Sequence, residues 1–419
     1  MITVHTCGIN FKLRPNGEAI LLLYMIALLS LAVAGIACLA LVAIFAIECV
    51  AGAWPSSRRP ERPLSIRPAI AVLIPAHNEA LGIAATLRSI GDQIRGGDRI
   101  VVVADNCDDE TAAIARSFGA EVVERRDSVN RGKGHALAAG VAHLRQAPPA
   151  IVVFIDADCL IANGTLDALA ADVMAFERPV QARNLQVAQP GASIGLAISE
   201  FAFRIKNHVR PLGMSRLGLP CLMTGTGMAL PWNLVEQANL ATGHLVEDMK
   251  FALELAQKGA PPRFCERALV TSLFPTSTEA VETQRRRWEG GHLAMMRFAV
   301  GALSRPSAWR SAAYCSLLLD VLVPPLTLLA AAVAFMTLVA ACAALLGIGL
   351  LPLAIAVAAA LLFLLAIGLS WAAFATELLP PRQLIRLPAY AIAKLYKYPR
   401  MLLSSGRHEW VRTDRSRPQ

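Results

Sequence analysis

Two carboxylates one residue apart, Asp156 and Asp158, close the run Ile151-Val-Val-Phe-Ile155-Asp156-Ala-Asp158-Cys159. The five apolar residues before them read as a fully buried parallel strand. In an open α/β sheet, ligands bind at the carboxyl ends of strands, and alternation along a strand points both carboxylates to one side. Two like charges that close need a cation between them, or one takes up a proton. Mg2+ or Mn2+ bridging a substrate diphosphate supplies that cation. Phosphatases and nucleoside triphosphatases also end an apolar strand in Asp, so this stretch alone names a contact, metal to diphosphate, and not a reaction.

Five further clusters carry chemistry. Pro75-Ala-His77-Asn78-Glu79 follows an apolar run, which the proline is expected to end. Its Asn and Glu fit either a ligand at the next helix N-terminus or an ordinary capped turn. Asp105-Asn106-Cys107-Asp108-Asp109-Glu110-Thr111 has the acidity that suits a helix start, and could equally receive the N–H groups of a base. Arg131-Gly-Lys133-Gly lacks the Walker spacing and reads as a turn with a basic residue. His244-Leu-Val246-Glu247-Asp248 opens the helical run Met249–Gln257. Acids there suit the macrodipole, and a base there could accept a hydroxyl proton. Gln284-Arg285-Arg286-Arg287-Trp288 joins guanidinium forks for a leaving diphosphate to an indole that can stack on a sugar. Its plainer reading is a basic membrane-surface patch with an interfacial Trp.

The elements that must position these residues are strands alternating with helices. Apolar runs at Ala69–Ile74, Ile100–Ala104, Glu121–Val123 and Ile151–Ile155 are separated by helical stretches such as Ala80–Ile90 and Glu110–Phe118. That alternation predicts an α/β region over 68–275, a parallel sheet with helices on both faces.

Around it the chain is apolar: 55% of the 419 residues are hydrophobic and the mean hydropathy is +0.49. A wholly soluble protein is excluded. The net charge of +9 points to an anionic partner. With no recognition helix, zinc spacing or aromatic-basic platform, that partner is a membrane surface and not nucleic acid. Nine scattered cysteines argue against a disulfide framework or a zinc module. Segment 19–50 comes after a short N-terminus, 1–18, and has no charge from Ala19 to Ile47, so it is expected to span as a membrane helix. Arginines 58, 59, 62 and 67 on its C-terminal flank put the chain from residue 50 onwards in the cytosol and 1–18 outside.

Segment 276–312 is basic and amphipathic, an interfacial segment. Over 313–376 the only charge is Asp320, which suits two membrane helices, the first kinked at Pro324-Pro325 and the pair turning at Gly347, Gly349 and Pro352. Asp320, near the expected cytosolic edge, reads as a hydrated interfacial carboxylate in preference to a proton relay. The tail 380–419 carries nine Lys or Arg against Glu409 and Asp414, with an apolar stripe from Leu384 to Leu402 suited to anionic lipid.

Taken together, the ordered clusters resemble the membrane-bound family 2 glycosyltransferases, the group of cellulose, chitin and hyaluronan synthases and of lipid glycosyltransferases. The likeness covers roughly 68–292 and the flanking helices. It implies a GT-A type fold, mostly parallel sheet flanked by helices, with about three transmembrane helices. It also implies a nucleotide-diphospho-sugar donor, most often UDP-linked, Mg2+ or Mn2+, and inverting transfer to a membrane-bound glycan or lipid acceptor in exopolysaccharide or envelope synthesis.

By resemblance, Pro75, Glu79 and Asp105 hold the uridine and Lys133 lies near the nucleotide. Asp156 and Asp158 hold ribose, diphosphate and metal. Asp248, beside Glu247, is the catalytic base. Arg287 faces the diphosphate, while Gln284, Trp288 and Thr226, in Thr224-Gly225-Thr226-Gly227, lie on the acceptor side. Val246 stands where Thr is usual, and His77 where Tyr is frequent. About three helices are few for a secretion channel built by one chain, so partner subunits for secretion are open. The rivals are a membrane phosphatase, which would need Thr or Val where Leu160 stands, and a scaffold without catalysis, which the intact acidic set disfavours.

Overall fold

The computed structural model describes residues 4–6, 9–11, 15–55, 67–189, 191–241, 247–275 and 278–384. It divides into two compact units, one made of residues 1–47 and 325–368, the other of residues 48–324 and 369–419.

The larger unit is built on one mixed sheet. Its strands, in chain order, are β1 (Ile70–Ala76), β2 (Arg99–Asp105), β3 (Glu121–Arg125), β4 (Ile151–Phe154), β5 (Leu160–Ile161), β6 (Val180–Val187), β7 (Met228–Pro231) and β8 (Arg263–Leu273). The spatial order is β3-β2-β1-β4-β7-β6-β8-β5. The four strands legible as apolar runs form its parallel half, with Leu73 opposite both Val101 and Phe154. β7 enters antiparallel to β4 and β6, β8 lies parallel to β6, and β5 closes the edge antiparallel to β8.

Alternation along β1 makes two cores. Ile70, Val72 and Ile74 face one layer with Ile83, Leu87, Ile90, Leu166 and Leu169, from the helices Ile83–Gly91 and Thr165–Phe176. Ala71 and Leu73 face the other, with Leu137, Val141 and Leu144 from the helix Lys133–Leu144 and Ala252 and Leu255 from the helix Glu247–Gln257. The chain thus has the expected α/β architecture, helices on both faces of a sheet.

Two local expectations change. Pro75 does not end its strand: β1 runs through Ala76, with Pro75 opposite Val103. Leu73 O accepts from Ile155 N, so Leu73 and, two residues on, Pro75 turn their backbone toward β4. The β1–β4 ladder stops at Leu73 and Phe154, and the missing N–H of Pro75 removes no ladder bond there. Asp156 and Asp158 are not strand residues either. β4 ends at Phe154, and a turn closed by Cys159 N donating to Asp156 O carries both carboxylates.

In the smaller unit an N-terminal ribbon pairs Val4–Thr6 with Ile9–Phe11. The helix Pro15–Ala53 follows that ribbon in the chain. Among the described residues, three helices are long and apolar enough to cross a membrane: Leu21–Ala53, Leu326–Leu345 and Leu351–Phe374. Phe45 stacks on Phe363 with ring centroids 5.7 Å apart. Leu22, Leu23, Leu29, Leu338, Leu361 and Leu364 lie exposed, as lipid-facing side chains would. Gly347 and Gly349, both at positive φ, form the turn between the last two helices.

The expected kink at Pro324-Pro325 is a full break. Val323 and Pro325 are extended, and Ala312–Leu322 is a short helix of its own, because a residue before proline is driven out of the helical region. Segment 276–312 contains the helix Thr278–Leu303 and a 3-10 turn, Pro306–Arg310. The flanking arginines 58, 59 and 62, Val246, and the tail beyond Leu384 with its apolar stripe lie outside the described residues.

Candidate active site

The sheet's carboxyl edge gathers the acidic clusters. Lys133 is the first residue of the helix Lys133–Leu144. Its ammonium pairs with Asp156 Oδ1 and donates to Gly225 O at 2.8 Å. Asp156 is fixed a second time through its backbone, whose N–H donates to Thr226 Oγ1 at 3.0 Å. Asp248 lies at the start of the helix Glu247–Gln257, where its Oδ1 accepts from Met249 N at 2.8 Å.

Gly225 ties these groups together. Its φ of +82° belongs to the left-handed region, which glycine enters without steric cost. A β-carbon there would lie 3.3 Å from Lys133 Nζ and 3.4 Å from Asp248 Oδ2. The ammonium and the two carboxylates therefore share one corner, although 92 residues separate Lys133 from Gly225. Burial raises the Asp248 carboxyl above the usual carboxylate range, while the Met249 amide, Lys206 and Lys133 pull it back down. A carboxylate at this corner is a candidate general base for a hydroxyl proton.

The Asp156–Asp158 turn fits a hard divalent ion. One ligand atom each from Asp156, Asp158 and Cys159 lies within 4.8 Å of the others. Carboxylate oxygens suit Mg2+ and Mn2+. The Cys159 thiol does not join them: burial pushes it up to about 12, so it stays protonated, 3.6 Å from Asp158 Oδ1. Lys133 pairs with Asp156, and both carboxylates border the space such an ion would take.

The first two clusters interlock. Glu79 N donates to Thr111 Oγ1 at 2.8 Å, Asp108 N to Asn78 Oδ1 at 2.8 Å, and His77 Nδ1 lies 2.7 Å from Asp105 O. Asn78 and Asn106 both take positive φ at these strand ends. The buried Asp105 receives Arg125 Nη1 at 2.6 Å and Asn106 Nδ2 at 3.1 Å through Oδ1. Pro75 and Glu79 thus stand beside Asp105 at the mouths of neighbouring strands.

Gln284, Arg287 and Trp288 lie on the helix Thr278–Leu303 and are anchored elsewhere. Gln284 is buried and accepts from Gln186 Nε2 at 3.2 Å, while Trp288 packs on Phe203 with centroids 5.6 Å apart. Arg287 is half-buried on the same helix, and Glu247 opens the helix that carries Asp248. Thr226, expected on the acceptor side, is 3% exposed, with its hydroxyl used by the Asp156 amide.

Several residues that shape this edge carry no motif. Gln181 accepts from Thr224 N and donates to Thr226 O, each at 2.9 Å, and Asn184 Nδ2 reaches Thr224 Oγ1 at 3.2 Å. These buried amides of β6 hold the Thr224–Gly227 turn from beneath. Their strand, Val-Gln-Ala-Arg-Asn-Leu-Gln-Val, offers no continuous apolar run to signal that these amides are buried. Asp320, expected to be hydrated, is buried and ion-paired with Arg210, whose Nε also donates to Glu48 Oε2 at 2.5 Å. Asp320 lost its water because a guanidinium 110 residues earlier in the chain replaces it.

Residues 68–291 match the family described as Glycosyltransferase like family 2, which is more than half of the chain. The chain belongs to that family. A 4,4'-diaponeurosporenoate glycosyltransferase of Staphylococcus aureus is 41% identical over 93 residues, which cover 22% of this chain and 24% of that protein. The chain thus matches about a quarter of that relative's length. Among solved structures, a mannosyltransferase from Pyrobaculum calidifontis, in complex with GDP-Man and Mn2+, covers 80% of this chain and 99% of its own with a TM-score of 0.50 and 19% identity. At that identity the likeness is one of fold. It identifies the mixed sheet with flanking helices as the GT-A architecture of family members.

Proposed function

We propose that the protein is an inverting glycosyltransferase. It moves a sugar from a nucleotide-diphospho-sugar, UDP-linked by the resemblance, to a membrane-associated acceptor in exopolysaccharide or cell-envelope glycan synthesis. The observation that carries this reading is the meeting of Lys133, Asp156 and Asp248 at Gly225, beside the Asp158 carboxylate.

Pro75, Glu79 and Asp105 line the side toward the nucleoside, with Arg125 keeping the Asp105 carboxylate in place. Lys133, with Arg287, meets the phosphates. A divalent ion on Asp158 and Asp156 would supply Lewis-acid stabilisation of the leaving diphosphate. Asp248 takes the proton of the acceptor hydroxyl as its oxygen forms the bond to the anomeric carbon. The bond from that carbon to the diphosphate breaks on the opposite side, so an α-linked donor gives a β-linkage. Gln284 and Trp288 present the acceptor, Trp288 by stacking on a sugar ring.

Three apolar helices support a multi-pass enzyme of the plasma membrane, with its catalytic unit in the cytosol and its basic segments on anionic lipid. The name of the S. aureus relative favours a second reading, single transfer to a lipid in place of a growing glycan. Product length from one purified donor separates the two. The base assignment is tested by Asp248→Asn, which abolishes transfer while donor affinity stays within about twofold. Near-normal turnover in that variant rejects the assignment.

A further inference from the structure

On the nucleoside side of the site, one guanidinium ties together residues that no motif groups. Arg125 ends β3 and stands in register with Asp105, the last residue of β2. Its Nη1 donates to Asp105 Oδ1 at 2.6 Å, and its Nη2 donates to Asp127 Oδ2 at 2.8 Å and to Asn130 O at 2.6 Å. Asn106 closes the knot. Its N–H donates to Arg125 O at 2.7 Å, its Oδ1 accepts from Asp127 N at 2.9 Å, and its Nδ2 donates to Asp105 Oδ1 at 3.1 Å. Asp127 Oδ1 also accepts from Val129 N and Asn130 N, each at 2.9 Å, which shapes the turn leading to Lys133. The Arg125 and Asp105 side chains are 16% and 9% exposed, so theirs is a shielded, charge-assisted contact and not a loose surface pair.

The knot takes up one oxygen of Asp105 and leaves the other. A carboxylate oxygen offers two lone pairs, and at Oδ1 both are taken, by Arg125 and by Asn106. Among the described residues no donor meets Oδ2, which is therefore the acceptor left for a ligand. Uracil matches that arrangement. It carries one N–H, at N3, between two carbonyls that can accept from donors nearby. Guanine carries two adjacent donors, N1–H and the N2 amine, which a carboxylate meets with both of its oxygens. At Asp105 the second of these would face an oxygen already filled, with the Arg125 and Asn106 donors beside it.

We propose that Arg125 is a positioning residue that sets base specificity: by filling Asp105 Oδ1 it makes that carboxylate a reader with one open oxygen, which selects uracil over guanine in the nucleoside diphosphate. The inference rests on the proposed placement of the nucleoside at Asp105. A staple that only held the 127–130 turn would behave differently. Its loss would weaken both nucleotides alike, whereas loss of a selector opens a lone pair on Oδ1 and favours guanine in particular.

The test measures binding without turnover: dissociation constants of UDP and GDP, each with Mn2+, for the full chain in detergent by titration calorimetry. Expected for wild type is UDP tighter than GDP by about tenfold or more, the scale of one donor left without an acceptor. In Arg125→Met the two constants come within about threefold of each other, as the second donor regains its acceptor. Arg125→Lys, whose ammonium still offers a donor to Oδ1, keeps most of the preference. Asn106→Gly suits the positive φ of that position and opens a lone pair on Oδ1 by a second route, so it narrows the ratio as well and decides the matter if Arg125→Met does not fold. Each ratio is taken within one variant, so a partly folded sample leaves it unchanged. A wild type that binds GDP as tightly as UDP overturns the proposal. So does an Arg125→Met variant that weakens both nucleotides by the same factor. Selective UDP binding with no transfer from any UDP-sugar would sink the transferase reading and leave the role of Arg125 standing, while failure to bind either nucleotide overturns both.

Discussion

Replacing Gly225 by alanine separates a catalytic corner from a merely well-packed one. At φ of +82° the alanine variant carries the left-handed backbone cost of about 1–2 kcal/mol. For a unit of this size that is roughly 2–8 °C in melting temperature. The new methyl also sits 3.3 Å from Lys133 Nζ, a contact the ammonium must relieve by tenths of an ångström, and in contact with Asp248 Oδ2 at 3.4 Å. A displacement of about 1 Å costs about 100-fold in rate, or about 2.7 kcal/mol of transition-state stabilisation, which is the ceiling for this smaller shift.

Gly164→Ala is the control. Its φ is +77°, yet a β-carbon there meets nothing within 4 Å, so it bears the same backbone cost without touching the corner. Initial rates of nucleoside diphosphate release, with melting temperatures of both purified variants, make the comparison. Similar melting shifts with activity lost only in Gly225→Ala are expected. If both variants retain more than half of wild-type activity, the corner is not where the chemistry occurs.

Arg210→Met leaves Glu48 and Asp320 buried without their shared cation. That should cost about 3–5 kcal/mol, seen as a large loss of melting temperature. Adding Glu48→Gln and Asp320→Asn should recover most of it, and a single Arg210→Met variant that melts like wild type contradicts the buried triad. Trp288→Ala should weaken use of a sugar acceptor while donor hydrolysis continues, and unchanged acceptor kinetics would reject stacking at Trp288.

The first half of the sheet is readable because its strands are continuous apolar runs, buried on both faces: Ile70–Ile74, Val101–Ala104 and Ile151–Ile155. The second half is not, since β6 buries Gln181, Asn184 and Gln186 among its apolar residues. Such polar positions look like a surface loop until the Thr224–Gly227 turn and Gln284 that they hold are in view. Asp156 and Asp158 are readable as a pair, but the geometry that joins them is a turn and not strand alternation. Asp320 misleads because its partner, Arg210, lies 110 residues away in the chain, and hydropathy reports only near neighbours. The order of the acidic clusters can be read, whereas the distant cation that is buried with Asp320 cannot.

The central claim is that Asp158 and its neighbours hold a divalent ion against a nucleotide diphosphate at the Lys133–Asp248 corner. Its most direct measurement is nucleoside diphosphate release from UDP- and GDP-linked sugars, with Mg2+ or Mn2+ and with chelator, for wild type and Asp158→Asn. The account predicts release by wild type that requires the metal and disappears in Asp158→Asn. Equal release with chelator and in Asp158→Asn, or no release from any donor by wild type, would contradict it.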